Sequence, residues 1–137
     1  DNSSFSRQPI AINGSTFLHT SPGESVLIGG YGLDENDGIG ELKAGNMLLD
    51  DSGNFGIYSA FFLNDSYPDS NTCGGDSGGP LLARRSGKWT LTGLTSWGSN
   101  TSCGVDGDAD QSYFSNLLNA SNQEFIKSYV PGAQFWK

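Results

Sequence analysis

Residues 73–80 read Cys-Gly-Gly-Asp-Ser-Gly-Gly-Pro, and Ser77 stands where a nucleophile could be displayed. Glycines on both sides leave the hydroxyl uncovered and let the backbone take conformations closed to other residues. They also let amide N–H groups converge on one point, which a developing oxyanion requires. A glycine-rich turn with an incidental serine is the competing reading of a bare Gly-Asp-Ser-Gly. A serine hydroxyl is a weak nucleophile without a neighbouring base. The chain holds one histidine, His19 in Phe17-Leu18-His19-Thr20, and its place before Gly30-Tyr31-Gly32 reads as a surface loop. Cys73 and Cys103 form one disulfide in an oxidising compartment or remain two buried thiols.

The elements that must position Ser77 are short. The 137 residues suffice for one compact domain with its own core. Charged residues make up 16% and glycines number 20, which suits short strands and tight turns better than a helical bundle. Ile10-Ala11-Ile12 and Ser25 to Ile28 read as strands, as do Leu42 to Leu49 and Gly56 to Leu63, parted by Asp50-Asp51-Ser52-Gly53. Pro80 to Ala83 and Trp89 to Ser96 read as a hairpin, with a last strand near Tyr113. Asn119 to Val130 places Phe125, Ile126, Tyr129 and Val130 at helical spacing before Pro131-Gly132. The prediction is all-β: one six-stranded antiparallel barrel with a C-terminal helix. Residues 1–9 read as a linker, 10–118 as the barrel and 119–137 as the terminal helix and tail.

Several partner classes are disfavoured. The formal net charge is −8, and the longest basic run is Arg84-Arg85, so neither nucleic acid nor an anionic membrane surface is an expected partner. No apolar run approaches the ~20 residues that span a bilayer. Asp34-Glu35-Asn36-Asp37-Gly38 and Asp106-Gly107-Asp108-Ala109-Asp110 superficially suggest calcium. The second has Gln111 where an EF-hand has glycine and Leu117 where it has glutamate, so both read as solvated loops and no metal or cofactor is expected. Asn-x-Ser/Thr sequons start at Asn2, Asn13, Asn64, Asn100 and Asn119. They are either chance in an Asn- and Ser-rich chain or marks of a secreted glycoprotein, which would put each on the surface.

The octet around Ser77 resembles the nucleophile loop of the trypsin/chymotrypsin-like serine proteases, and other segments follow that family in order. Thr95-Ser96-Trp97-Gly98 is similar to its substrate-binding strand, and Gly30-Tyr31-Gly32 to its Gly-Trp-Gly. Tyr113 matches a pocket-strand tyrosine, Phe125-Ile126 the Trp-Ile of a terminal helix, and Arg7 to Ile12 the linker and first strand of the second barrel. The resemblance implies a serine endopeptidase with Ser77 as nucleophile and the Gly75 and Ser77 amides as oxyanion hole. It implies that Asp76 pairs with the amino terminus released on zymogen cleavage, and that Ser96, Trp97 and Gly98 hold a peptide substrate as an added strand. It also implies a Cys73–Cys103 disulfide and secretion.

The same resemblance shows what is absent. A triad needs a histidine base and an aspartate to orient it, yet the family's Ala-Ala-His-Cys does not occur. Asp1 lacks the apolar run that follows the triad aspartate and lies too close to Gly30. The expected partner is therefore an N-terminal half carrying His and Asp, in a two-chain enzyme. The alternative is a protease-derived binding module or decoy that no longer cleaves. For specificity, Asn71 is expected at the base of the primary pocket with Thr72 beside it, where trypsin-like members carry Asp. Gly98 is expected at the pocket mouth and Gln111 at a wall. The expected preference is a neutral, medium-sized residue before the scissile bond.

Overall fold

Alternation of apolar and polar side chains builds the sheet. In Ser25–Gly30, Val26 and Ile28 turn inward and are buried, and the same period places Met47, Leu49, Leu81, Ala83 and Phe114 against them as one core. A computed structural model of the chain describes residues 9–14, 23–34, 36, 38–55, 58–64, 71–98 and 111–136, without the side chains of 50–64 and of Gln111. Among the described residues the elements run β1 Ile12–Asn13, β2 Ser25–Gly30, β3 Lys43–Phe55, β4 Tyr58–Asn64, β5 Pro80–Arg85, β6 Lys88–Gly98, β7 Gln111–Asn116, α1 Ala120–Tyr129 and β8 Phe135–Trp136.

Six of these strands close on themselves. The order β5-β2-β3-β4-β7-β6 is completed by a β5–β6 pairing, and each of these contacts is antiparallel. This is the expected barrel, and closure leaves the ring without a free edge along most of its length. Two details differ from the sequence expectation. Asp50-Asp51-Ser52-Gly53 does not end a strand: β3 runs through it, with Gly53 opposite Ala60, and a register shift between Leu49 and Asp51 absorbs the irregularity. A bulge gives turn-forming residues a place inside a ladder when the partner strand supplies the bonds. The first expected strand is also shorter than Ile10-Ala11-Ile12 suggests. β1 lies outside the ring, parallel to β6 at Leu91 and parallel to β8 at Phe135 and Trp136.

Local chemistry sets the remaining boundaries. The β5–β6 hairpin turns on Ser86 and Gly87, both at positive φ (48° and 78°), the two-residue geometry that matches strand twist. Asn119 caps α1, its Oδ1 accepting from the amides of Ser121 and Asn122, and the Val130 amide closes the other end on Ile126 O at 2.8 Å. Ile126 is half-buried, whereas Phe125, Tyr129 and Val130 are exposed. At Asn13 the surface expectation for sequons fails. Its side chain is 0% exposed and donates to Thr92 Oγ1, so this amide is unavailable for glycosylation in the folded chain. Asn2 and Asn100 lie outside the described residues, as does the Asn64 side chain.

Candidate active site

Main-chain bonds fix the part of the loop between Asn71 and Pro80 that surrounds Ser77. Gly78 N donates to Thr95 O at 2.8 Å and Thr95 N returns the bond to Gly79 O at 2.9 Å, stapling the loop to β6. Within it, Asp76 N donates to Cys73 O at 3.1 Å and Gly79 N to Asp76 O at 2.8 Å. Leu33 N donates to Gly74 O at 2.8 Å, tying the loop to the segment after β2. Gly75 and Gly78 sit at φ +95° and +82°, a region that disfavours side chains. Between them Ser77 is exposed. Among the described residues its hydroxyl and amide have no hydrogen-bond partner, and neither does the Gly75 amide.

Asp76 turns into the molecule and joins two distant segments. Its Oδ1 accepts from Gly32 N and its Oδ2 from Cys73 N, each at 2.8 Å. The approach is so close that a Cβ on Gly32 would lie 2.6 Å from Oδ1, and one on Gly30 would overlap the carboxylate. The glycines of Gly30-Tyr31-Gly32 therefore make room for Asp76. Two amides of the same chain thus hold the carboxylate.

Among the described residues the strand beside Ser77 has an open side. Pairing of β5 with β6 ends at Pro80–Leu94, while β7 continues along the other edge to Gly98. Ser96, Trp97 and Gly98 are exposed beyond that point. Trp97 stacks on Tyr113 with ring centroids 3.8 Å apart and planes 4° from parallel, which props it upright beside the open edge.

Asn71 and Thr72 meet Ser112 at the start of β7. Asn71 Oδ1 accepts from Thr72 N at 2.8 Å and from the Ser112 hydroxyl, and the Thr72 and Ser112 hydroxyls are 2.6 Å apart. This cluster is polar and carries no charge. Ser112, fully buried, is a residue that sequence reasoning missed. Its one legible sign is its place beside Tyr113, on the opposite face of the strand. Gln111 is described only as backbone, and Cys103 and His19 lie outside the described residues. Cys73 is disulfide-bonded.

A second carboxylate organises the adjoining loop. Asp34 Oδ1 accepts from Asn36 N at 2.9 Å and from Gly38 N at 2.7 Å, and its Oδ2 contacts Lys43 Nζ at 2.5 Å. The Lys43 contact first, then the two amides, lower its pKa from 3.8 to about 2. Its oxygens are thus already engaged by donors from the chain.

Comparison with known proteins fits this arrangement. The Trypsin family description matches residues 2–115. Clotting factor C of Tachypleus tridentatus is 29% identical over 121 residues, covering 71% of this chain and 11% of that protein. Limulus clotting factor C of Carcinoscorpius rotundicauda matches to the same extent. Spermosin of Halocynthia roretzi is 38% identical over 64 residues, covering 47% of this chain and 15% of that protein. The chain thus spans a small part of each of these relatives. Among the described residues no helix is long and apolar enough to cross a membrane. With the Cys-Gly-Gly-Asp-Ser-Gly-Gly-Pro loop held against a six-stranded barrel, the chain belongs to the trypsin family of serine proteases.

Proposed function

We propose that this chain is the nucleophile-bearing half of a secreted serine endopeptidase, and that an N-terminal half supplies the histidine base and its orienting aspartate. The supporting observation is the exposed Ser77 with its own and the Gly75 amide unengaged, beside an open strand edge at Ser96–Gly98. In this reading an extended peptide pairs along that edge. Ser77 Oγ attacks the scissile carbonyl as the partner half's histidine takes its proton. The negative oxygen is received by the Gly75 and Ser77 N–H groups. Collapse expels the amine, which leaves with the proton from the imidazolium. Water, activated by the same base, then hydrolyses the acyl-enzyme and frees Ser77.

Asp76 keeps the oxyanion-forming backbone in place. On zymogen cleavage its carboxylate exchanges the amide contacts described above for the new amino terminus. Cys73 pairs with Cys103, the second of the two cysteines, and fixes the wall of the primary pocket. The uncharged Asn71, Thr72 and Ser112 cluster suits a neutral, medium-sized residue before the scissile bond. The residues call for no metal or cofactor.

A fluorophosphonate tests this directly. The complete protease should label at Ser77, and Ser77→Ala should abolish labelling and lower peptide cleavage by roughly 10⁶-fold. This chain alone should label negligibly, since loss of the base leaves only about 10³–10⁴-fold acceleration over water. Rapid labelling of the chain alone would overturn the divided triad. Absence of labelling in the complete protein would favour a binding module instead.

A further inference from the structure

Asn13-Gly14 is the one Asn-Gly step in the chain. Such a step is chemically fragile, because glycine has no side chain to keep its backbone nitrogen away from the preceding carboxamide. That nitrogen attacks Cγ: the N–Cγ bond forms, the Cγ–Nδ2 bond breaks, and ammonia leaves with the proton that the amide gives up. Water then opens the resulting cyclic imide at either carbonyl. Opening at Cγ leaves aspartate. Opening at the main-chain carbonyl leaves isoaspartate, in which the main chain runs through the former side chain and is one atom longer.

Packing requires the glycine. A Cβ on Gly14 would stand 2.9 Å from Phe135 Cβ and 3.0 Å from Trp136 O. The residue that seats β8 is therefore the one that leaves Asn13 open to attack. Docked β8 also withholds the reaction. Gly14 N donates to Trp136 O at 2.9 Å, so the attacking nitrogen is engaged. Asn13 Nδ2 donates to Thr92 Oγ1 at 3.4 Å, and the side chain is fully buried where β1 lies between β6 and β8. In a strand, moreover, the amide lies in the plane of the sheet while the side chain stands out of it, which holds the two reacting groups out of line. Imide closure needs these restraints released and water admitted.

We propose that Asn13 is a conditional deamidation site guarded by β8. The guard is short. β8 has two residues and, among the described residues, pairs with β1 alone, the Ile12 and Gly14 amides donating to Gln134 O and Trp136 O at 2.9 Å each. Lys127 Nζ, 4.8 Å over Phe135, and Lys88 Nζ, 5.6 Å over Trp136, add a modest attraction. A segment held so lightly opens at less than the free energy of global unfolding. Each opening frees the Gly14 nitrogen and uncovers Asn13. Either product then hinders the return. Aspartate brings a charge to a fully buried position, and isoaspartate lengthens β1, so that position 13 no longer registers with Trp136. A reversible opening is thereby made permanent. The reaction requires nothing of Ser77.

The test is prolonged incubation of the intact protein containing this chain, with peptide mapping by mass spectrometry to follow deamidation at Asn13 and an isoaspartyl methyltransferase to detect isoaspartate. The folded protein should react at least about tenfold more slowly than the same protein unfolded in urea. Phe135→Ala/Trp136→Ala removes both rings from β8. It should accelerate the reaction of the folded protein about tenfold, and Gly14 amide hydrogen exchange by a similar factor. Asn13→Asp, which imitates one product, should also raise Gly14 exchange. Near-ultraviolet circular dichroism checks that the variants remain folded. Should the double variant unfold, urea below the unfolding transition makes the same comparison on the wild type, where both rates should rise together. Equal deamidation in folded and unfolded protein, a rate that does not follow Gly14 exchange, or wild-type Gly14 exchange in Asn13→Asp would overturn the proposal.

Discussion

Asp34 and Asp76 each accept two backbone N–H bonds within glycine-bearing loops, but they serve different ranges. Asp34 gathers amides two and four residues ahead of it and adds Lys43, all at the surface. Asp76 takes one amide from its own loop and one from Gly32, a separation of 44 residues. The first closes a loop on itself. The second joins the Ser77 loop to the segment after β2, with main-chain glycines crowded around it. Identical side chains thus produce a local fold and a long-range clamp, and the difference lies in what surrounds them.

The largest expected effect follows from removing the clamp. Asp76→Ala leaves the Gly32 and Cys73 amides without their acceptor, and bonds to a charged group contribute about 1.5–3 kcal/mol each. Urea unfolding should show a loss of about 3 kcal/mol, and Ser77 labelling in the complete protease should fall about 10²–10³-fold as the oxyanion backbone is released. Wild-type labelling by this variant would reduce Asp76 to a structural anchor. Gly32→Ala should come next, because its Cβ would stand 2.6 Å from Asp76 Oδ1 and 2.8 Å from Asp76 N. The expected cost is about 2–3 kcal/mol. In an Asp76→Ala background it should cost less, since the crowding carboxylate is gone while the backbone N remains. An additive double variant would deny that Gly32 acts through Asp76.

Asp34→Ala should leave thermal unfolding and Ser77 labelling nearly unchanged, since exposed ion pairs contribute little. A strong loss of labelling would join the two loops into one device. The smallest effect is visible by pH. The folded pKa of Asp34 lies below the ordinary 3.8, at about 2. Its contribution is therefore complete above pH 4 and is lost as pH falls through the folded pKa. The Gly38 amide resonance should move with a midpoint of about 2, and a midpoint near 3.8 would show that Lys43 and the amides do not hold the carboxylate.

This contrast also marks what the sequence reveals. The exposed, glycine-flanked loop around Ser77 is legible because all of its residues are contiguous in the chain. The short strands read at Ser25 to Ile28 and near Tyr113 likewise point to the barrel. Long-range partners are not legible in the same way. The resemblance places Asn71 and Gln111 around one pocket, but nothing in the chain marks Ser112 as the residue that bonds Asn71. Asp50-Asp51-Ser52-Gly53 has turn composition, yet its ladder partners in β4 keep it extended. Asn13 satisfies a surface motif and is buried by β6 and β8, two elements distant in sequence.

The pairing of β1 with β8 also sets an order of events. Ile12 and Asn13 can meet Phe135 and Trp136 only after nearly all of the intervening chain has been synthesised. Loop closure over such a length is entropically costly, so this contact should form late, onto a ring already assembled. During translation β1 would wait unpaired on that side while the six-stranded ring takes shape. Once it has emerged, β8 covers the Asn13 side of the molecule, and a nascent chain stalled before Phe135 should remain sensitive to proteases near Ile12.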